Sequence, residues 1–227
     1  MACCLTRIDK TATLVGDPSA TMRNAWLQSN FSPVLGDDDH NLKPLERIAA
    51  GAVVLRRYTP SDIDILQTTI QESLDHLSPW MPWAQEPQTR AVLVDFIARA
   101  DQSWEAGTDF HYGIWNTDEQ ELRGGCGLHA RIGPGALEIG YWVSRKHIGR
   151  GYAKAAAHAL THAALSLPGI TRVEIHCDEA NVPSAAVPRA LGYRLDRVVA
   201  DEIKAPGEVG RDMLWVFEDT HPTKARG

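Results

Sequence analysis

The chain has 227 residues, 44% of them hydrophobic and 23% charged, which suits one domain with a substantial core. Its formal net charge of −6 provides no basic surface for nucleic acid. No stretch approaches the about 18 to 20 apolar residues of a membrane span, and the N-terminus lacks a signal peptide's apolar core. We therefore expect a cytoplasmic protein that binds neither nucleic acid nor a membrane.

The composition changes near residue 47. Residues 1–47 carry few periodic apolar positions and an acidic run, 37–39, which predicts a flexible or loosely docked extension, with a short helix conceivable over 21–28. Residues 48–220 are the predicted domain, and residues 221–227 are a C-terminal tail.

The first half of the domain reads as a strand, two helices and a loop between them. We expect order to begin at Ala52, with a strand over 53–58. Thr59, Pro60 and Asp62 then mark a helix start, and apolar residues at steps of three and four extend this helix to Leu77. Prolines stop it in the loop 78–83. Trp80 and Trp83 in this loop either cap the core or wall a substrate entrance.

The second half is rich in strands. After a helix over 87–106, strands are predicted over 110–116, 122–130, 136–143, 172–177, 194–199 and 212–218. An alanine-rich helix follows Gly151, and a short helix ends near Leu191. These elements predict a mixed α/β (α+β) domain of three layers. Its central sheet is mixed, largely antiparallel, has about six to seven strands and is flanked by helices.

The stretch from 138 to 157 joins an apolar strand, a basic turn with Gly149 and Gly151, and the alanine-rich helix. Glycines let a backbone approach a phosphate, and the free N–H groups and dipole of a helix start favour negative charge. The turn lacks the spacing of a P-loop and the third glycine of a dinucleotide fingerprint. A pyrophosphate site is therefore predicted here.

Over residues 52 to 218 the chain resembles the GNAT superfamily of N-acetyltransferases. The segment 146–151, Lys-His-Ile-Gly-Arg-Gly, matches the glycines of the family's acetyl-CoA signature, although Lys146 departs from the Gln or Arg of its first position. The segment 73–83 and the Asn181-Val182-Pro183-Ser184 segment, followed by Leu-Gly-Tyr at 191–193, resemble the Rim-type branch, which acetylates N-terminal amines of ribosomal proteins. The resemblance implies a three-layer GNAT-like fold.

The resemblance also implies how acetyl-CoA, the acyl donor, would bind. The strand ending at Val143 would offer backbone groups to the pantetheine arm, Asn181 would bond the same arm, and Ser184 would lie near the thioester sulfur. By its position alone, Asn181 reads better as a plain helix-start or turn residue. The implied donor-binding residues are Tyr141, Trp142, Val143, His147, Ile148, Gly149, Arg150, Gly151, Tyr152, Ala153, Asn181 and Ser184.

Two proton transfers accompany amine acetylation. Glu138, on the strand of the thioester contacts, is the predicted base, although an exposed carboxylate or a structural ion pair explains it equally well; His176 and His129 are lesser candidates. The tyrosine acid that much of the superfamily carries seven residues after the Asn is replaced by Pro188. Ser184 is the predicted replacement, unless it caps the following helix.

The remaining motifs predict no metal site and no covalent enzyme intermediate. The four cysteines form no CxxC pair, which suits a reducing compartment, and Cys126 in a strand reads as a core residue. His158 and His162 stand one helical turn apart but lack a third ligand, so we expect them to face solvent.

Three functions follow as hypotheses. The first is acetyl-CoA-dependent acetylation of a protein or peptide N-terminal amine by direct attack, with selectivity provided around Trp80 and Trp83. The second changes the acceptor to a small-molecule amine such as a polyamine or an aminoglycoside. The third is a CoA-binding regulatory module without turnover. The sequence leaves both a monomer and a homodimer open.

Overall fold

The computed structural model describes residues 2–3 and 43–218. Its nine strands form one sheet in the order β2-β3-β4-β5-β6-β7-β9-β8, and β1 pairs with β6. The strands are β1 (Ala2–Cys3), β2 (Arg47–Ala50), β3 (Val53–Arg57), β4 (Asp109–Trp115), β5 (Leu122–His129), β6 (Ala136–Val143), β7 (Arg172–Asp178), β8 (Arg194–Ala200) and β9 (Arg211–Glu218). The helices are α1 (Ile63–Gln71), α2 (Leu74–Leu77), α3 (Arg90–Ala106), α4 (Tyr152–Leu165) and α5 (Val182–Ala190).

The sheet is mixed and largely antiparallel, as predicted. Every described strand pair is antiparallel except β6 with β7, which is parallel. The predicted count of six to seven strands is wrong, because β1 and β2 join the seven expected strands. They have two and four residues, which is too short for an alternating apolar pattern to be recognised.

Helices cover both faces of the sheet. Helices α4 and α5 pack on one face, here called the α4 face, where α4 buries a row of small residues against the strands. Helices α1 and α3 pack on the opposite, α1 face. Short side chains let α4 approach the sheet closely, as the alanine-rich sequence predicts. The buried small residues of α4 are Ala153, Ala156, Ala157 and Ala164.

The predicted helix from 63 to 77 is broken in two. Helix α1 ends at Gln71, and α2 begins at Leu74. Between them the buried Ser73 hydroxyl donates to the Thr69 carbonyl (2.7 Å) and accepts from the Arg145 amide (3.1 Å). Such back-bonding by serine competes with the helical pattern, and here it ties the break to the loop after β6.

Two predicted boundaries shift. Order does not begin at Ala52, because β2 starts at Arg47 and the Tyr112 hydroxyl donates to the Leu45 carbonyl (2.9 Å). Helix α3 begins at Arg90 rather than near 87, since Thr89 caps it by accepting from the Val92 amide (3.3 Å). The remaining extension, including 21–28, and the tail lie outside the described residues. No helix in the described part of the chain is long and apolar enough to cross a membrane.

Candidate active site

The centre of the sheet opens where β6 and β7 separate. These strands pair only through residues 136–138 and 172–174, after which β6 continues beside β5 and β7 beside β9. The short strand β1 runs antiparallel to β6 in this opening, opposite Tyr141 and Trp142. Beyond Glu138, β6 therefore has a hydrogen-bonding edge that β7 does not use.

The glycine turn lies at the end of β6 and leads into α4. Gly149 and Gly151 adopt left-handed φ angles of 74° and 79°, and nothing lies within 4 Å of a Cβ placed on either one. The first α4 hydrogen bond runs from the Ala155 amide to the Gly151 carbonyl (2.9 Å), so the preceding helix-start amides have no intrahelical acceptor. The turn is open and presents amide groups suited to an anion.

His147 holds this turn in place. Its Nδ1 lies 2.7 Å from the Ser144 hydroxyl, and its Nε2 lies 3.2 Å from a Glu121 carboxylate oxygen. Burial outweighs this carboxylate and lowers the pKa of His147 below its ordinary value. The Arg123 guanidinium lies 4.7 Å from the Tyr152 ring centre. Both predicted donor-binding side chains, His147 and Tyr152, thus have contacts within the protein that shape the turn.

The other predicted side chains of the turn divide between solvent and core. Ile148 is 46% exposed and Arg150 is exposed, whereas Ala153 is buried beneath the turn. A groove of about 970 Å³ leads from Gly151 along α4, with Lys154 on its wall. A ligand anion at the turn therefore has a neighbouring groove for an attached group.

The side chains at the end of β6 are buried, which leaves the strand's backbone for recognition. Tyr141, Trp142 and Val143 are at most 4% exposed. The Tyr141 hydroxyl donates to the Ser184 carbonyl (3.1 Å) and lies 3.2 Å from the Ser184 hydroxyl. On the α1 face, the Trp142 and Trp83 rings meet edge to face, with centres 6.1 Å apart.

Helix α5 places Asn181 and Ser184 on the other side of the opening. Asn181 is the N-cap of α5, and its side-chain oxygen accepts from the Ser184 amide (3.2 Å). The alternative of Asn181 as a helix-start residue is therefore confirmed. Ser184 is fully buried and is not the cap. Pro188 lies inside α5, so no tyrosine hydroxyl comes from that position.

Glu138, the predicted base, is engaged in an ion pair. It is 3% exposed, and Arg131 donates to both its oxygens, from Nε to Oε2 (2.7 Å) and from Nη2 to Oε1 (2.5 Å). Burial by itself would raise the pKa of Glu138, but the Arg131 hydrogen bonds outweigh it and hold the pKa below its ordinary value. Such a carboxylate is a weak proton acceptor, and the structural alternative describes it better.

His129 lies against the same strand but is closed off. It is fully buried, its Nδ1 lies 2.6 Å from Asp109, and its Nε2 has no hydrogen-bond partner among the described residues. The neighbouring His111 is buried too, which lowers its pKa to about 3. Donor atoms of the three residues lie within 4.8 Å of one another, but Asp109 is already taken up by His129.

His176 is the candidate base that reaches the opening. Its side chain is 17% exposed, with Nδ1 lying 3.9 Å from Glu138 Oε2. Its Nε2 lies 2.6 Å from Glu174 Oε2, and Arg172 binds the other oxygen of Glu174 (2.8 Å). The sequence interpretation missed Glu174 and Asp212. Alternation along β7 was the available signal, since Glu174 stands two residues from His176 on one face of a strand.

The loop with the two predicted substrate tryptophans closes one side of the opening. Trp80 and Trp83 pack against the core beneath α1 and α3, and a cavity of about 50 Å³ adjoins Trp83. The Gly207 amide, in the loop between β8 and β9, donates to the Pro79 carbonyl (2.8 Å). A Cβ at Gly207 would lie 2.6 Å from that oxygen. The two loops therefore meet closely.

Cys126, His158 and His162 occupy the positions expected from the sequence. Cys126 is buried, which raises its pKa far above the ordinary value, so it is a core residue. Cys177 is buried also, and its pKa is raised to about 12. His158 and His162 face solvent on α4 with their Nε2 atoms 3.2 Å apart.

Comparison with known proteins was made for both sequence and structure. The family model described as the acetyltransferase (GNAT) domain matches residues 52–194. A curated relative, an uncharacterized N-acetyltransferase p20 of Bacillus licheniformis, is 24% identical over 167 residues, covering 73% of this chain and 92% of the relative.

Two solved structures show the same fold. One is a putative ribosomal-protein-serine acetyltransferase from Vibrio cholerae, with a TM-score of 0.64, 22% identity and coverage of 78% of this chain and 100% of that chain. The other is RimL, a ribosomal alpha-N-protein acetyltransferase in complex with coenzyme A, with a TM-score of 0.69, 21% identity and coverage of 76% and 98%.

Proposed function

Because the chain belongs to the acetyltransferase (GNAT) domain family, we propose that it transfers the acetyl group of acetyl-CoA to a protein or peptide N-terminal amine. The observation that carries the proposal is the opening between β6 and β7, with the glycine turn at one end. The opening supplies a strand edge for an extended amide-bearing arm, and the turn supplies amides for its phosphates.

The proposed donor site combines the glycine turn, the groove along α4 and the edge of β6. The amides at the start of α4 suit the pyrophosphate, and the groove along α4 suits the nucleotide beyond it. The pantetheine arm carries two amides, which match the backbone edge of β6 near Tyr141 and Val143. Strand β1 pairs with part of this edge, so the arm and β1 compete for the same backbone groups.

Two features favour an N-terminal amine as the acceptor: the free energy of its deprotonation and the shape of the opening. Deprotonating an α-amine at pH 7 costs about 1 kcal/mol, against roughly 4.6 kcal/mol for a lysine side chain. A site whose predicted carboxylate base is held by Arg131 therefore suits an α-amine better. On the α1 face the tryptophan loop and the β8–β9 loop meet through Pro79 and Gly207, which favours a narrow chain end.

The proposed reaction is direct attack of the neutral amine on the thioester carbonyl. Backbone N–H groups near Val143 stabilise the oxyanion that develops on the carbonyl oxygen. The Ser184 hydroxyl, 3.2 Å from the Tyr141 hydroxyl, protonates the departing thiolate, and this pair of hydroxyls takes the place of the tyrosine absent at Pro188. Cys126 takes no part, because it is buried in the core.

The relatives support the N-terminal amine over the small-molecule amine. Both solved structures described above carry ribosomal-protein acetyltransferase names, and one is an alpha-N-protein acetyltransferase with coenzyme A. A small-molecule acceptor such as a polyamine or aminoglycoside remains the alternative that the test must separate.

The test measures thiol release from acetyl-CoA with matched acceptors: N-terminal peptides, the same peptides with blocked α-amines, a polyamine and an aminoglycoside. We expect turnover with free-amine peptides only. Turnover confined to the small amines would contradict the proposed acceptor. Tight CoA binding without thiol release on any acceptor would instead indicate the non-catalytic module.

A further inference from the structure

A set of ionisable side chains lies on the α1 face of the sheet beside the opening. Along β7 the apolar Val173, Ile175 and Cys177 enter the core of the α4 face, so the alternate residues point the opposite way. On β9 Met213 and Trp215 do the same. The side chains that therefore share the α1 face are Glu138 on β6, Glu174, His176 and Asp178 on β7, and Asp212 on β9.

Among these carboxylates, Asp212 differs in having no hydrogen-bond or salt-bridge partner among the described residues, while His176 and Lys204 act on it electrostatically. Glu138 is bound by Arg131, and Glu174 by Arg172 and His176. Asp178 accepts from the backbone amides at 180 and 209–211. The Asp212 carboxylate makes no hydrogen bond or salt bridge to any residue that the structure describes, although it is only partly exposed. A half-buried carboxylate without a hydrogen bond or salt bridge is a candidate site for binding a cationic group.

His176 lies one diagonal step from Asp212. In the antiparallel register His176 is opposite Leu214, and Asp178 is opposite Asp212. Diagonal neighbours on one face have Cα atoms about 7–8 Å apart, within reach of long side chains. The two residues also interact electrostatically. An ammonium group of roughly water size can therefore contact both.

The hydrogen bond to Glu174 orients His176 for proton acceptance. If Nε2–H donates to the Glu174 carboxylate, the neutral ring carries its lone pair on Nδ1. That atom lies 3.9 Å from Glu138 Oε2, at the point where β6 and β7 part. The other two candidate bases are less suited to this role, since Arg131 occupies both Glu138 oxygens and His129 is fully buried.

We propose that Asp212 binds the α-ammonium group of the acceptor and that His176, oriented by Glu174, takes the proton which frees the amine. This inference rests on the proposed function and assigns the acceptor side of the same site. It gives His176 and Asp212 roles as catalytic residues, because both touch the acceptor, whereas Glu174 is a positioning residue.

The proton balance follows from these positions. One proton passes from the ammonium group to His176 Nδ1, and the freed nitrogen lone pair forms the bond to the acetyl carbon. As the carbon–sulfur bond breaks, its electron pair stays on sulfur. A second proton leaves the nitrogen while the thiolate is protonated beside Ser184. The products are the acetylated amine, the free thiol and the proton that His176 returns to water.

The surroundings of Asp212 add a pH dependence. Burial, together with the negative charges of Asp201 and Glu138, raises the pKa of Asp212 to about 6. The positive charges of His176 and Lys204 oppose this rise. Asp178, directly opposite, is held by backbone amides. Because only the carboxylate binds an ammonium group, acceptor binding is complete above about pH 6 and weakens as the pH falls through that value.

The experiment compares Asp212→Asn and His176→Gln with two control variants of the full chain, Asp196→Asn and Gln102→Ala, at exposed positions of β8 and α3. We expect Asp212→Asn to raise the acceptor KM on the order of tenfold and to remove the weakening of acceptor binding below about pH 6. His176→Gln should lower kcat by about 10²–10³-fold. Both should keep the Kd for CoA and the thermal unfolding midpoint of the control variants.

The outcomes separate this inference from the proposed function. Unchanged acceptor KM and kcat in both variants would overturn it, as would a large kcat loss in Glu138→Gln with none in His176→Gln. If the parent protein acetylates only a small diamine, the proposed acceptor fails. The same variants measured on that diamine still decide whether Asp212 and His176 receive a cationic amine.

Discussion

The two glycines of the turn are required by backbone angle rather than by crowding. Gly149 and Gly151 have φ angles of 74° and 79° with open space around each Cβ direction. A side chain would cost about 1–2 kcal/mol in this left-handed region and would project into the space assigned to the donor. The fully buried Ser184 and its neighbour Tyr141, by contrast, are fixed by packing.

Gly151→Val should therefore weaken CoA binding about tenfold or more, whichever acceptor is used, because it strains the turn that presents the helix-start amides. Isothermal titration with CoA measures the effect. Gly169→Val is the matched control, since Gly169 has a φ angle of 78° and equal space but follows the far end of α4. Equal affinities in the two variants would show that the turn does not hold the pyrophosphate.

The Arg131–Glu138 pair should support stability rather than proton transfer. The depressed pKa of Glu138 means that the pair contributes fully above the ordinary carboxyl pKa of 4.5 and is lost as pH falls through the lower folded value. Arg131→Met should lower the free energy of unfolding by about 2–3 kcal/mol at neutral pH, at the lower end for a buried pair because Arg131 is one-third exposed.

Urea unfolding at neutral and acid pH measures this prediction. The difference between the parent protein and Arg131→Met should shrink as the pH falls below the ordinary carboxyl value and through the lower folded pKa of Glu138. Adding Glu138→Gln to Arg131→Met should recover part of the loss, because no unpaired charge stays buried. A constant difference across the pH range would show that the loss reflects packing instead.

For individual residues, the sequence predicted local backbone features better than contacts between distant strands. Glycines with left-handed angles and the Asn181 cap leave local signals. Glu138 looked available, because its partner Arg131 comes from the loop after β5 and no local pattern shows that contact. Asp212 could not be found, since its position beside His176 depends on β9 pairing with β7 across the 32 residues of chain between Asp178 and Arg211.

Among the elements, β1 stands in direct competition with the donor. It pairs with β6 at the edge proposed for the pantetheine arm, so a donor that binds there must displace it. The apparent affinity of a ligand falls by the fraction of molecules in the competent state. On the proposed donor site, pairing of β1 with β6 is therefore expected to lower the apparent affinity for acetyl-CoA.

A variant without residues 2–42 should bind CoA several-fold more tightly than the full chain, because the β6 edge is free. In the full chain, Ala2→Pro/Cys3→Pro should act likewise, since proline removes the amide donors that pairing needs. A peptide of residues 1–6 added to the shortened protein should compete with CoA in titration. Unchanged affinity in both variants would rule out this competition.

The elements also show why strand prediction stopped short. The seven strands expected from the sequence have alternating or apolar runs and are all present, with ends that differ by at most one residue. Strand β2 has the sequence Arg-Ile-Ala-Ala, without the run of β-branched or aromatic residues that favours a strand. The break between α1 and α2 was hidden, because the apolar spacing continues across it to Leu77.

At the scale of the whole molecule, the two faces of the sheet carry different parts of the proposed site. Helices α4 and α5 complete one face, where the donor turn and Ser184 lie. On the other face, helices α1 and α3 pack against Tyr58, Trp115 and Trp142. The ionisable residues of β7 and β9 lie on this same face, beside the opening. In the proposed reaction, donor and acceptor therefore approach from opposite faces and meet where β6 and β7 separate, and this arrangement depends on long-range strand pairing.

The most direct test of the central claim uses one peptide that carries both a free α-amine and a lysine side chain. The peptide is incubated with the protein and acetyl-CoA, and mass spectrometry locates the acetyl group. The account predicts acetylation at the α-amine alone, with loss of that product in His176→Gln. Acetylation of the lysine side chain alone, or of neither amine while a polyamine is consumed, would contradict it.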